Sequence, residues 1–275
     1  MITRRRFITM LAATPVLASL YSWRIEPSWT DYVRLKLPIG GLPEKLEGRS
    51  LVHLSDIHIG DQVDPEYLAG VFAAVSRIQP DLVVYTGDFI TYGGPETLVR
   101  LERLTDRFPH GKLGTVAVLG NHDYGKNWRQ GEVADDVARI VSRAGCVVLR
   151  NQVAQVAGLN IGGLDDLWAN RLQLAPCVTM LKAPALVLNH NPDACDLTGW
   201  DDYKGWILSG HTHGGQCRPP FLPPPILPVK NRRYTAGAYD LGDGRSLYIN
   251  RGLGHLLRAR FNVRPEVTIF KLTRA

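Results

Sequence analysis

Residues 209–216 read SGHTHGGQ. On a helix only neighbours three or four apart share a face, so two histidines two apart would diverge there. In extended backbone, side chains two apart point the same way, so His211 and His213 can converge on one spot. The flanking glycines let the backbone approach that spot closely. Converging imidazoles suit a metal, and ligand-type residues recur upstream. SDIH offers Asp56 and His58, TGD offers Asp88, GNHD offers Asn121 and His122, and LNH offers His190. Carboxylate, imidazole and amide donors without thiolate suit borderline ions such as Mn, Fe or Zn. Of the eight histidines, His53, His110 and His255 fall outside this set.

The elements that must position these residues alternate regularly. Strands are expected at SLVHLSD (50–56), DLVVYTGD (81–88) and TVAVLGNHD (115–123). Helices follow at 65–78, 95–108 and 132–144, the first opening on Pro65 and carrying apolar residues at helical spacing. Shorter strands come next near 146–150, 152–157 and 159–163, then at ALVLNH, GWILSG, SLYIN and EVTIFKL. Apolar strands alternating with helices predict a buried, largely parallel sheet. The later strands predict a second sheet packed on it: an α/β fold of two packed sheets flanked by helices, an αββα sandwich. Each ligand sits at the end of a predicted strand, where open α/β sheets gather their sites.

At 275 residues, 45% hydrophobic and 21% charged, the chain is of ordinary globular composition. Its net charge of +6 is modest, and three of its arginines stand at positions 4–6. No basic stripe interleaved with aromatics runs along the strands, so nucleic acid is not an expected partner. Cys146, Cys177, Cys195 and Cys217 form no C-x-x-C pair and are expected as thiols.

The N-terminus reads as a targeting segment. Arg4-Arg5-Arg6 precedes an uncharged stretch from Phe7 to Trp23. The order Thr3-Arg4-Arg5-Arg6-Phe7-Ile8 resembles the twin-arginine export signal. No clean cleavage site follows, and the stretch is near the lower limit for spanning a bilayer. The expected organisation is a signal or anchor over 1–23, a linker or strand over 24–47 and one domain over 48–275. The export machinery and a membrane surface are the implied partners, with a membrane-associated or periplasmic location.

The order D-x-H, G-D, G-N-H-D, H and G-H-x-H resembles the calcineurin-like metallophosphoesterase superfamily, from about Gly48 to about Leu272. GLDDL (163–167), GHTHGGQ (210–216) and NRGLG (250–254) resemble its bacterial branch with twin-arginine leaders. That branch includes UDP-2,3-diacylglucosamine pyrophosphatases of the lipid A pathway. The resemblance implies two divalent metal ions. Asp56, His58, Asp88 and His213 would hold one; Asp88, Asn121, His190 and His211 the other. Asp88 would bridge them, since an anion between two dications relieves their repulsion. Two ions about 4 Å apart polarise a phosphoryl oxygen and activate water for in-line attack. His122, next to a ligand yet not needed as one, is the candidate general acid. Asp123 is the candidate to orient its imidazole, or else a solvent-facing loop carboxylate.

The implied reaction is hydrolysis of a phosphodiester or pyrophosphate. A non-catalytic scaffold would have no reason to keep a general acid. The proline-rich stretch from Cys217 to Tyr234 is expected as a stiff loop beside the metals. It mixes Phe221, Leu222, Ile226, Leu227 and Val229 with Lys230, Arg232 and Arg233, and residues 251–261 repeat that mixture. Apolar side chains beside cations suit an anionic membrane surface, and hence an anionic, lipid-linked phosphoester substrate. Arg251 is the candidate to grip its phosphate.

Overall fold

Alternation along the strands sets the layers of this protein, described here from a computed structural model covering residues 15–201 and 203–275. In β3 (Leu82–Thr86), Leu82 and Val84 face one side while Val83 and Tyr85 face the other, and all four are buried. In β8 (Ala185–Leu188), Leu186 and Leu188 face inward while Val187 faces outward. Two-sided burial of this kind requires cover on both faces of each sheet.

The first sheet has the order β1-β12-β2-β3-β4-β5 and the second β10-β11-β9-β8-β7-β6. The first is built from β1 (Asp31–Ile39), β2 (Ser50–Leu54), β3, β4 (Gly114–Val118), β5 (Val147–Val148) and β12 (Glu266–Arg274). The second contains β6 (Gln152–Val156), β7 (Leu159–Gly163), β8, β9 (Gly205–Ser209), β10 (Gly237–Asp240) and β11 (Arg245–Ile249). Both sheets are mixed. β2 through β5 run parallel, as do β7, β8, β9 and β11, whereas β12 is antiparallel to β2 and the edge strands β6 and β10 are antiparallel to their neighbours.

Three apolar layers follow. Leu51, Val84 and Val116 meet Ile161, Leu188 and Leu208 between the sheets. On the outer face of the first sheet lie α1 (Pro65–Ile78), α2 (Pro95–Thr105) and α3 (Gly131–Arg143), which bury Phe72, Leu101 and Val137 against Val83 and Tyr85. Asp64 caps α1 by accepting the Glu66 amide at 2.9 Å, and Pro65 opens it. The short α4 (Leu174–Thr179) covers the second sheet with Cys177 and Val178. The αββα sandwich stands as expected.

Residues 31–39, expected as linker or strand, pair in parallel with β12 along their whole length and belong to the first sheet. Residues 15–24 are helical. Among the described residues no helix is long and apolar enough to cross a membrane. Arg4-Arg5-Arg6 lie outside the described residues. The four cysteines are unpaired, three of them buried.

Candidate metal centre and active site

Five strands deliver the ligands to one crevice. β2, β3 and β4 of the first sheet end just before Asp56, Asp88 and Asn121; β8 and β9 of the second end just before His190 and His211. The loops then turn abruptly. Asp56, His58, Asp88, His211 and His213 all hold positive φ, between 50° and 72°. For non-glycine residues this costs energy and persists only where the surroundings enforce it, typically at functional sites. Here it swings the side chains off the strand axis into the crevice.

Close approach enforces the turns. A Cβ on Gly120 would lie 2.3 Å from Asp88 Oδ1, and one on Gly210 would lie 2.2 Å from Asp56 Oδ2. Glycine at Gly120 lets neighbouring loops of the first sheet close on each other, and glycine at Gly210 lets a loop of the second sheet interlock with one of the first. The His211 amide donates to both oxygens of Asp56 at 3.0 Å, so the β9 loop is tied to the β2 loop. The amides of Asp56 and His58 donate to the carbonyls of Gly87 and Asp88.

The side chains form two buried triads, Asp56 with His58 and His213, and Asp88 with His190 and His211. Nε2 of His58 and Nε2 of His213 face each other at 3.0 Å, and Nδ1 of His211 faces Nε2 of His190 at 3.2 Å. Oδ2 of Asp88 lies 3.1 Å from Nε2 of His190 and 3.6 Å from Nε2 of His58, and so belongs to both groups. Asn121 is buried with neither amide atom hydrogen-bonded. A buried amide without partners is costly, and a metal ion would satisfy its oxygen. The donor set therefore fits two divalent ions.

Electrostatics agree. Burial, only partly opposed by Asp88, holds His58 and His213 well below the usual imidazole range and His211 at about 3, which favours the neutral ring with one nitrogen carrying a proton and the other free for a metal. Burial, opposed by His190 and reinforced by Asp88, pushes Asp56 up to about 6. His190 is the exception: burial opposes its cation, but the Asp88 carboxylate, with Asp56 and Asp166, carries it up to about 10. Carboxylates this enclosed need positive charge beside them, which metal binding supplies while displacing the proton. The outer nitrogens are anchored as metal-bound histidines require. His58 Nδ1 meets Thr91 Oγ1 at 2.9 Å, His190 Nδ1 donates to the Thr86 carbonyl at 2.7 Å, and His211 Nε2 donates to the Pro228 carbonyl at 2.7 Å.

His122 stands apart from the triads. Its ring lies 5.1 Å from that of His58 and is half-buried, within reach of a molecule in the crevice. Asp123 does not orient that imidazole, nor does it face solvent. It is fully buried, and its two oxygens accept the backbone amides of Ile90 and Gly120 at 3.2 and 2.9 Å. The short helical turn at 121–124 closes on this carboxylate, so Asp123 shapes the loop rather than the acid.

Arg251 is also committed elsewhere. Its guanidinium pairs with Asp31 at 3.0 Å and hydrogen-bonds Glu266. The cation behind the metals is Arg260, the largest fully buried side chain. It donates to the carbonyls of Arg251, Gly252, Gly254 and Val263 and touches His213 Nδ1 at 3.3 Å. Burial lowers it to about 10, and among the described residues no carboxylate pairs with it. Nothing in RARF signals that role. Asp166 was equally hidden: it is buried, holds one oxygen without a partner, and burial pushes it up to about 7.

The proline-rich stretch is irregular and folds back on the site. Pro224 packs on Gly215, and the Pro228 carbonyl reaches His211. It leaves Phe221, Leu222 and Ile226 exposed, beside a second loop whose Leu256 and Leu257 are exposed too. The two loops are joined by Gln216, which donates to the carbonyls of Leu257 and Ala259 at 2.8 Å. The Arg260 amide in turn bonds the Ser22 carbonyl, bringing the N-terminal helical segment to the same rim.

Two histidine–aspartate triads sharing a carboxylate at the carboxyl ends of two stacked sheets define a dinuclear metal hydrolase. Comparison with known proteins agrees: the chain belongs to the calcineurin-like phosphoesterase family, which matches over residues 49–215. It is 31% identical to phosphodiesterase YaeI of Escherichia coli (strain K12) over 99% of this chain and 100% of that protein. It is 33% identical to the uncharacterized metallophosphoesterase YkuE of Bacillus subtilis (strain 168), over 92% and 88%. It is 29% identical to the UDP-2,3-diacylglucosamine pyrophosphatase LpxG of Chlamydia trachomatis serovar D, over 96% and 95%. The protein is a phosphoester-hydrolysing enzyme.

When bound, two divalent ions polarise the phosphoryl group and supply a water nucleophilic at neutral pH. The chain's own groups do the rest. Asp88 and the two triads would hold those ions, and His122 would hold a proton for the departing oxygen.

Proposed function

We propose that this enzyme hydrolyses a phosphodiester or pyrophosphate in a lipid-linked head group at a membrane surface; the Chlamydia relative is named as a pyrophosphatase of UDP-2,3-diacylglucosamine. The observation that carries the reading is the apolar rim. Phe221 is fully exposed, and Leu222, Ile226, Leu256 and Leu257 are exposed to lesser degrees, on two loops tied to each other by Gln216 beside His213. Arg218 and Lys230 are exposed on the first of these loops and Arg258 is half-buried on the second. Exposed leucines and phenylalanine interleaved with cations are costly in water and favourable at an anionic interface. Asp56, His58, Asp88, Asn121, His190, His211 and His213 hold the metals in this reading, and His122 is the general acid. The twin-arginine-like start delivers the folded enzyme to the membrane or the periplasm.

The test compares UDP-2,3-diacylglucosamine in detergent micelles with bis(p-nitrophenyl) phosphate, both with the manganese-loaded protein. A preference for the lipid that falls at least tenfold in a Phe221→Ser/Leu222→Ser/Ile226→Ser variant supports the reading. Equal rates on both, unchanged by the substitutions, leave a broad-specificity phosphodiesterase instead.

A further inference from the structure

A row of aromatic rings runs along one wall of the crevice, from a ligand of one triad to a ligand of the other. Ring centroids lie 5.1 Å apart for His58 and His122, 6.1 Å for His122 and Trp128, 4.9 Å for Trp128 and Trp168, and 4.4 Å for Trp168 and His211. Both indoles are half-buried. Two cavities open beside them. One of about 540 Å³ is lined by Asn127, Trp128, Arg129 and Trp168, and the other, of about 580 Å³, shares Arg129 and Trp168 with it and is completed by Ala169, Asn170 and Arg171.

Asn127 and Trp128 both hold left-handed backbone, at φ 57° and 60°. That conformation is unfavourable for a bulky residue, and it sets one indole against the other where water could otherwise reach both. Arg129 and Arg171 are exposed, and among the described residues neither guanidinium makes an ion pair. Aromatic faces accept a flat ring by stacking, and guanidinium forks accept phosphate oxygens in pairs. A saturated acyl chain would use the indoles but not the arginines, and inorganic phosphate the reverse. A nucleotide offers both in one rigid unit, a flat ring for the indoles and phosphate oxygens for the guanidinium groups.

We propose that this wall is a nucleotide subsite: Trp128 and Trp168 receive a nucleobase, and Arg129 and Arg171 the phosphate or ribose attached to it. The inference deepens the lipid-linked reading by making the head group a nucleotide and naming the residues that select it. None of the four belongs to the metal triads, so the subsite governs which phosphoester enters.

Calorimetric titration of the full, manganese-loaded chain with UMP and with ribose 5-phosphate tests this, since the two probes share the sugar phosphate and differ in the base. UMP binds about tenfold more tightly, within the range that stacking on aromatic side chains gives. Trp128→Leu brings the two affinities together, and Arg129→Gln/Arg171→Gln weakens both about tenfold while keeping their ratio. Equal binding of the two probes to the unaltered protein overturns the proposal, as does glycerol 3-phosphate competing as well as UMP. The titration contains no lipid and no turnover. UMP selectivity in an enzyme indifferent to lipid substrates overturns the lipid-linked reading alone, and the opposite pair of results overturns the subsite alone.

Discussion

The backbone amide of His122 donates to Oδ1 of Asp88 at 2.8 Å. The carboxylate thus divides its work: Oδ2 faces histidines of both triads, and Oδ1 fixes the loop that carries His122, the proposed proton donor. In the proposed reading, metal bridge and general acid are one mechanical unit. Asp88→Ala therefore removes a ligand from both ion sites and loosens His122. Metal analysis of the purified variant finds bound metal falling toward zero and hydrolysis lost. Two ions retained per chain would contradict the shared carboxylate.

His122 contributes no atom to either triad. His122→Ala keeps its metals and slows turnover by roughly two to four decades, the usual loss for general acid catalysis. The deficit is largest for alkyl phosphodiesters and smallest for p-nitrophenyl esters, whose leaving group departs without a proton. A loss equal for both kinds of substrate contradicts proton donation.

His53 gives a pH prediction independent of the metals. It is fully buried in β2, its Nε2 meets Thr86 Oγ1 at 2.8 Å, and burial holds it at about 3. In the unfolded chain it titrates near 6.5. The folded state refuses a proton that the unfolded state accepts, so stability present above pH 6.5 is lost as pH falls toward 3. The loss from this group is about 1.4 kcal/mol per pH unit. Denaturant unfolding at pH 7 and pH 5 shows a smaller drop for His53→Gln than for the unaltered protein. Equal drops contradict the assignment.

Export depends on the start of the chain in this account. Lys-Lys in place of Arg4-Arg5 leaves the protein in the cytoplasm on cell fractionation. Unchanged recovery from membrane or periplasm points to ordinary hydrophobic insertion.

Much of this was legible in the sequence because local rules and the site reinforce each other. Pro65 and apolar residues at helical spacing bound α1 at both ends as expected. The ligands were legible because each follows a strand whose apolar run is unmistakable. What escaped depends on distant pairings. Arg251 meets Asp31 across nearly the whole chain, and only the parallel pairing of β1 with β12 brings them together. The short edge strand β10 and the six-residue α4 carry too few residues for a periodic signal. The role of Asp123 is not local, because an aspartate beside a histidine says nothing of which amides its carboxylate will meet. Trp168 directly follows the GLDDL motif, a signal that a reader for ligands alone passes over.

The central claim is that two ions held by the Asp88-linked triads are required for phosphodiester hydrolysis. Titrating manganese into the chelator-stripped protein, while following bis(p-nitrophenyl) phosphate cleavage and bound metal together, tests it most directly. The account predicts no hydrolysis without metal, and activity that saturates as the second ion per chain is bound. Full activity in the stripped protein, or saturation at a single ion per chain, would contradict it.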